Sequence, residues 1–143
     1  MTDMAGASWT FDAAAEVETI SSQAFVYPDA AAATAAMASY RDLVGRCTSW
    51  QSGLTAKGYT YAESQEMFDA SVGEESVARQ TGTSHVRLTD LPTFRMYWVA
   101  SRVGQTIVQI TYRPGSLLGI EQGRDQSREL ASVAASAAEK RAK

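Results

Sequence analysis

"RMYWVASRVGQTIVQITYRPG", residues 95–115, is the most regular stretch of the chain and decides its fold. On both sides of Gly104 and Gln105, apolar and polar side chains alternate with the two-residue period of a β-strand. A two-residue connection with glycine first is typical of a type II′ hairpin turn. The stretch therefore predicts two antiparallel strands joined by a tight turn.

The first face of this hairpin is mostly β-branched or aromatic. A two-residue turn places residues opposite each other in pairs, and the members of a pair share one face of the sheet. We expect this face to pack against helices. Its pairs are Val103–Thr106, Ser101–Val108, Val99–Ile110 and Tyr97–Tyr112.

The second face mixes hydrogen-bonding side chains with a large indole, as solvent-facing sheet surfaces commonly do. One interpretation is a face in water whose Trp98 is covered by a loop. The other is a groove that holds a small or extended ligand by the indole and by flanking guanidinium groups. The candidate ligand-binding residues are Met96, Trp98, Arg102, Gln109, Thr111 and Arg113.

Upstream of the hairpin, a predicted strand at residues 17–27 leads into a predicted helix at residues 29–46. Asp29, directly after Pro28, is a residue type that caps the first turn of a helix. Apolar residues then recur every three or four positions, which is the stripe of an amphipathic helix. The stripe consists of Ala33, Met37, Tyr40, Val44 and Cys47.

A second amphipathic helix is predicted over residues 125–143. Residues 65–82, "QEMFDASVGEESVARQTG", predict two short strands around a turn at Gly73. Residues 48–64 and 83–92 predict connections between these elements. The apolar stripe of the second helix consists of Leu130, Val133, Ala134, Ala137 and Ala138.

The order of these elements is strand, helix, antiparallel strands, helix. This order predicts an α+β fold, a curled antiparallel sheet with two helices packed on one face. Residues 1–16 have no sustained period and predict a flexible N-terminal arm. Residues 17–143 are then expected to form a single domain.

The composition excludes several classes of protein. With 143 residues, 45% hydrophobic and 20% charged, the chain predicts one globular domain rather than a disordered segment. A net charge of −3 disfavours binding to a nucleic-acid backbone, which needs a basic surface. Because no apolar run reaches the length of a membrane span, we expect no membrane insertion by this segment.

Few residues suggest chemistry. Cys47 lies on the stripe of the first helix, which predicts a buried structural thiol, and His85 is expected to be solvated in a loop. Glu74 and Glu75 are adjacent and would point to opposite faces, so they predict a polar hairpin tip rather than an acid–base pair. The sequence therefore predicts no catalytic residues, no metal site and no cofactor.

A family resemblance rests on three stretches. "FVYPDAAAATAAMASYRDLVGRCTSW" resembles the strand and helix of PknH-like extracellular sensor domains, which occur on actinobacterial kinases and related lipoproteins. "SVGEES" resembles their turn, and "YWVASRVGQTIVQITY" resembles their paired strands. The resemblance covers residues from about 20 to 140. It implies a sensor-like α+β domain with a cleft, no enzyme activity, and export; relatives often have paired cysteines, whereas this chain has only Cys47.

Three functions follow as hypotheses. The first is a non-enzymatic domain that senses or binds an unidentified small molecule or cell-envelope ligand. It would be extracytoplasmic if it is part of a longer exported chain, and otherwise cytoplasmic. The second is a small cavity-containing enzyme or cyclase-like protein that acts on a hydrophobic small molecule. The third is an interaction protein that pairs through an exposed sheet edge.

Overall fold

The computed structural model describes residues 1–13, 16–52, 61–85, 94–115 and 118–141. Among these residues, seven strands form one open antiparallel sheet in the order β1-β2-β7-β6-β5-β4-β3. Two helices accompany the sheet, so the predicted α+β class and antiparallel sheet are confirmed. The elements are β1 (Asp3–Ala13), β2 (Glu16–Val26), α1 (Ala30–Arg46), β3 (Ser49–Ser52), β4 (Tyr61–Phe68), β5 (Glu75–His85), β6 (Phe94–Val103), β7 (Thr106–Arg113) and α2 (Ile120–Arg141).

The β6–β7 hairpin has the predicted register and turn. Gly104 has a φ of +57°, whereas Gln105 does not have a positive φ. This combination is the one that a type II′ turn requires. The two predicted strands around Gly73 are β4 and β5, and Gly73 has a φ of +68°. The pairs of the first face are confirmed as Val103–Thr106, Ser101–Val108, Val99–Ile110 and Tyr97–Tyr112.

The helix α1 begins where the sequence predicts. The Asp29 carboxylate accepts a hydrogen bond of 2.7 Å from the backbone N–H of Ala32, and so satisfies one of the free donors of the first turn. Ala33, Met37 and Val44 of the predicted stripe are buried. Cys47 is exposed, so the prediction of a buried thiol is wrong. The reason is that α1 ends at Arg46, and the stripe does not continue past the last turn.

The helix α2 begins earlier than predicted, and of its predicted stripe Leu130 and Ala134 pack against the core of the sheet. Its buried residues are small, whereas Val133 of the predicted stripe is 67% exposed. The reason is the neighbouring aromatic ring: Tyr97 occupies the space in which any larger residue at position 123 would lie. The buried residues of α2 are Gly123, Ser127, Ala131 and Ala135.

The two helices lie on opposite faces of the sheet, so the prediction that both pack on one face is wrong. Ala131 and Ala135 of α2 belong to one hydrophobic core and Ala33, Met37 and Val44 of α1 to a second. We call the two surfaces the α2 face and the α1 face. The core of the α2 face includes the strand residues Tyr97, Val99, Val103, Ile110 and Tyr112, and the core of the α1 face includes Val77, Ala100 and Ile107.

The physical reason for the two cores is the alternation of the strands. Ala100 directly follows Val99, and Ile107 lies three positions before Ile110, so both point away from the α2 face. They give the second face enough apolar area to hold a helix. The sequence prediction counted this face as polar because of its larger hydrogen-bonding residues. An antiparallel sheet of this width can bury apolar residues on both faces.

The two edges of the sheet also depart from the prediction. Residues 3–13, predicted as part of a flexible arm, form an 11-residue strand that pairs along β2. The four-residue β3 lies in a segment predicted as a connection and pairs with β4 at the other edge. Pairing of either edge with another chain remains a prediction. In the described part of the chain, neither helix is both long and apolar enough to cross a membrane.

Candidate functional site

The α1 face has a covered half and an open half. α1 packs against Val77, Ala100 and Ile107, which lie toward the β6–β7 turn. Farther along the same strands, Met96 is 37% exposed and Phe94 is 53% exposed. We call the open half the surface formed by six residues of β2, β6 and β7: Ser21, Gln23, Met96, Gln109, Thr111 and Arg113.

Arg102 lies in the covered half and is bound by two carboxylates. Its Nη1 donates to Glu74 at 2.6 Å, and its Nε donates to Glu75 at 3.4 Å. Glu75 also accepts a hydrogen bond of 2.9 Å from Arg41 of α1. Arg102 therefore joins the β4–β5 turn to the hairpin and to α1, and it is separate from the other candidate binding residues.

The same cluster corrects the prediction for the adjacent glutamates. Glu74 lies in the turn before β5, so the strand alternation does not apply to it, and both carboxylates meet at Arg102. Glu74 also accepts a hydrogen bond of 2.9 Å from the backbone N–H of Gly104. This bond, followed by the contact with Arg102, lowers the pKa of Glu74 from its ordinary value. The arrangement favours a fixed ion pair rather than proton transfer.

Trp98 lies at the boundary between the two halves. Tyr40 of α1 approaches its indole edge-on, with ring centroids 5.8 Å apart and planes at 90°. The guanidinium of Arg79 lies 5.2 Å from the ring centroid. Trp98 is half-buried, and in the described structure a helix contacts it where the sequence predicted either a covering loop or a ligand groove. Its indole is therefore both a packing element and one wall of the open half.

Arg79 and Gln65 complete this boundary, and the sequence prediction missed both. Gln65 is 7% exposed, and its Nε2 donates to the carbonyls of Val44 and Cys47 at 2.7 and 2.6 Å. Because these bonds fix the amide, its Oε1 faces Arg79 and accepts a bond of 2.7 Å from Nη1. The strand period of β5 places Arg79 on this face, but no sequence signal indicates that β5 pairs with β6.

The open half contains most of the candidate ligand-binding residues that the sequence predicted. Trp98 pairs with Thr111, which in turn pairs with Ser21, and Gln109 pairs with Gln23. Gln109 and Thr111 are half-buried. Arg113 is exposed, with its guanidinium 5.1 Å from the ring centroid of Phe94. The surface thus offers hydroxyl and amide groups beside a thioether, an indole edge and a cation.

The α2 face differs, because its interior is filled. A Cβ at position 123 would lie 2.2 Å from the Tyr97 ring, so the helix and the sheet are already in close contact there. Tyr97 and Tyr112 are 0% and 2% exposed. The helix and the aromatic core are therefore closely packed at this point of the α2 face.

Other candidate chemistry is sparse. Over residues 1–13, 16–52, 61–85, 94–115 and 118–141, no three histidine, cysteine, aspartate or glutamate side chains cluster in a way that could hold a metal ion. His85 ends β5 rather than lying in a loop, and its side chain lies outside the described part of the structure.

Comparison with known proteins identifies the fold alone. No family model and no curated protein matches the chain. Among solved structures, the extracellular domain of PknH from Mycobacterium tuberculosis superposes with a TM-score of 0.57 at 11% sequence identity, covering 83% of this chain. The chain has a PknH-like sensor fold. It spans 56% of the length of the matched PknH chain.

The stretches that suggested the PknH-like fold occupy its central elements. The first covers the end of β2 and all of α1, with Pro28 and Asp29 at their junction. The second is the turn between β4 and β5, and the third is the β6–β7 hairpin. These are the elements that build the α1 face, so the resemblance and the candidate site lie in the same part of the molecule.

Proposed function

We propose that this protein is a non-catalytic, extracytoplasmic ligand-sensing domain and that the open half of the α1 face binds the ligand. The observation that carries the proposal is the surface beside Trp98, where polar side chains and Met96 extend past the end of the contact with α1. The fold shared with an extracellular domain supports both the sensing role and the extracytoplasmic location.

The proposed binding residues are Met96, Trp98, Gln109, Thr111 and Arg113. Thr111 and Gln109 would exchange hydrogen bonds with the ligand, while Met96 and the indole edge would contact its apolar part. We leave Arg102 out of the proposed site because Glu74 and Glu75 already neutralise it.

The contact between Trp98 and Tyr40 offers a route for signalling. A ligand that contacts Trp98 more favourably in one orientation of the indole would shift the population of that orientation. Because Tyr40 packs on the ring, the change would reach α1. Binding at the open half would then alter how α1 lies on the sheet.

The test uses two variants that add the same aromatic side chain. Thr111→Tyr fills the open half, whereas Thr34→Tyr adds the ring to the exposed outer side of α1. Nuclear magnetic resonance spectra of the chain would be recorded with muramyl dipeptide, a peptidoglycan fragment, and with N-acetylglucosamine oligomers. We expect shifts of the amides of Met96, Gln109 and Thr111 with at least one probe.

These shifts should disappear in Thr111→Tyr and persist in Thr34→Tyr. Shifts confined to the α2 face, or shifts that survive Thr111→Tyr unchanged, would contradict the proposed location of the site. Conversion of either probe into a product by the protein would contradict the non-catalytic role.

A further inference from the structure

Arg79 has hydrogen-bonding capacity that the described structure leaves unused. A guanidinium carries five N–H donors. The described hydrogen bonds of Arg79 are limited to the one from Nη1 to Gln65, and its Nε is buried without a hydrogen-bond partner. A buried donor without a partner is costly, so its presence in a folded protein calls for an explanation.

The positive charge of Arg79 is also uncompensated within the described residues. Arginines elsewhere in the chain form ion pairs with carboxylates: Arg41, Arg46, Arg102, Arg124 and Arg128. On the strands of the α1 face, Arg79 and Arg113 have aromatic contacts and no ion pair with a described carboxylate. Burial lowers the pKa of Arg79, as expected for a cation that lacks a counter-charge.

The two guanidinium groups flank the exposed part of β6. Arg79 pairs with Trp98, Trp98 pairs with Thr111, and Arg113 lies two residues beyond Thr111 on the same face. Two strand spacings separate β5 from β7, or about 10 Å. Met96 lies on the strand between them. A small anion with an apolar body could therefore contact a cation while its body lies on the thioether and the indole.

We propose that the ligand of the open half is an organic oxyanion, with a carboxylate or phosphate group on a flat apolar body, and that Arg79 holds the anionic group. The inference rests on the proposed function and specifies its ligand class. The oxyanion would accept from the terminal Nη donors of Arg79 that Gln65 does not use, and it would supply the missing counter-charge. Arg113 adds a second cation at the outer end of the surface.

Arg79 is expected to bind particular anions rather than anions in general, because of the charge of the whole chain and the way its side chain is held. The chain carries a net charge of −3, so its overall field does not gather anions. Trp98 on one side and Gln65 on the other hold the guanidinium in place. A positioned arginine favours planar oxyanions, whose two oxygens match its parallel donors.

The experiment compares three small aromatic probes in the full chain. Sodium benzoate and phenyl phosphate carry the two oxyanions, and benzamide is a neutral counterpart of benzoate. Amide shifts would be followed during titration of each probe. We expect both anions to shift Met96, Trp98 and Thr111, and benzamide to bind at least about tenfold more weakly, the value of one charge-assisted hydrogen bond.

Variants identify which arginine supplies the positive charge for the anion. Arg79→Met keeps a long apolar side chain against Trp98 and should weaken benzoate binding about tenfold or more. Arg79→Lys keeps the charge without the paired donors and should give an intermediate loss, which also tests the proposal if Arg79→Met folds poorly. Arg113→Gln should have a smaller effect. Arg46→Gln, which removes an exposed arginine from α1, should leave binding unchanged.

Each alternative result has a definite meaning. Equal binding of benzamide and benzoate at the open half would overturn the anion inference and leave the proposed function standing. The same loss in Arg46→Gln as in Arg79→Met would overturn it as well, because the effect would then be one of net charge. Shifts by all probes on the α2 face alone would overturn both the inference and the proposed function.

Discussion

Tyr97 and Trp98 are neighbours on one strand and lie in opposite environments. Tyr97 points to the α2 face, is 0% exposed and stacks near Tyr112, with ring centroids 6.2 Å apart. Trp98 points to the α1 face, where it is half-buried beside Tyr40 and Arg79. A single strand therefore contributes to a closed core on one side and to an open surface on the other.

The helices explain the difference between the faces. The buried stripe of α2 consists of glycine, serine and alanine, so the helix lies close to the sheet and two tyrosines fill the remaining volume. α1 places Met37 and Tyr40 between itself and the sheet and packs on the half near the hairpin turn. Small residues permit close contact along a helix, whereas larger ones hold it farther away. The more loosely covered face is the one to which we assign the proposed ligand site.

The largest expected effect contrasts the two neighbours on β6. Tyr97→Ala should lower the free energy of unfolding by about 3–5 kcal/mol, the usual loss for a buried aromatic side chain. Trp98→Ala should cost about half as much, because part of the indole is exposed in the folded protein. Urea denaturation measures both changes. Equal losses, or a greater loss for Trp98→Ala, would show that the α1 face is as closed as the α2 face.

The next effect uses the same substitution in the two helices. Gly123→Ala places a methyl group in the Tyr97 ring, and this clash should lower the free energy of unfolding by about 1–3 kcal/mol. The higher helix propensity of alanine should offset about 1 kcal/mol of that loss. Gly45→Ala meets no atom within 4 Å and should stabilise the protein by up to about 1 kcal/mol. Thermal unfolding compares the two variants.

The double variant Tyr97→Leu with Gly123→Ala separates packing from propensity. Once the ring is removed, Gly123→Ala should no longer destabilise. If it costs as much in this background as in the wild type, contact with Tyr97 does not determine the close approach of α2.

A smaller effect concerns the start of α1. Asp29→Ala removes the bond to the backbone N–H of Ala32 and should cost about 1 kcal/mol. Asp29→Asn, which can still cap the helix, is the matched control and should retain most of the stability. Hydrogen exchange of the first turn measures the change locally. Unchanged exchange in Asp29→Ala would mean that packing against the sheet holds this end without the cap.

The smallest effect is a pH dependence in the covered half of the α1 face. The folded-state pKa of Glu74 is lowered below 4.5, so its carboxylate stabilises the fold above that pH and the contribution disappears as pH falls through the folded value. Glu74→Gln should therefore lower stability at neutral pH and approach wild-type stability in acid. Denaturation curves at several pH values test this. A constant difference between the two proteins would contradict the ionic origin of the contact.

Much of the fold could be predicted because it depends on local rules. The two-residue turn at Gly104 sets the register of β6 and β7, and the period of residues 29–46 predicts α1. β1 escaped prediction because its side chains show no regular alternation, although it pairs with β2, the next strand along the chain. Which residues of the candidate site share a face was predictable from the alternation of the strands. Their contacts were not predictable, because the contacting side chains belong to strands whose pairing the sequence does not indicate.

Arg102 and Arg79 illustrate that limit. Both lie on the α1 face, and the sequence offered Arg102 as a binding residue because it belongs to the regular hairpin. The structure places Arg102 between two glutamates and leaves Arg79 without a carboxylate among the described residues. The pairing of β5 with β6 decides this difference.

The sequence alone determined the hairpin, the two helices and the existence of two chemically distinct sheet faces, because turn geometry and side-chain period act over a few residues. Only the tertiary structure decided which face each helix covers and which arginine remains without a counter-charge. Both faces contain enough apolar area to hold a helix, so the choice depends on how closely each helix can approach its sheet residues. That approach is set by contacts between side chains distant in the chain, such as Gly123 with Tyr97 and Tyr40 with Trp98.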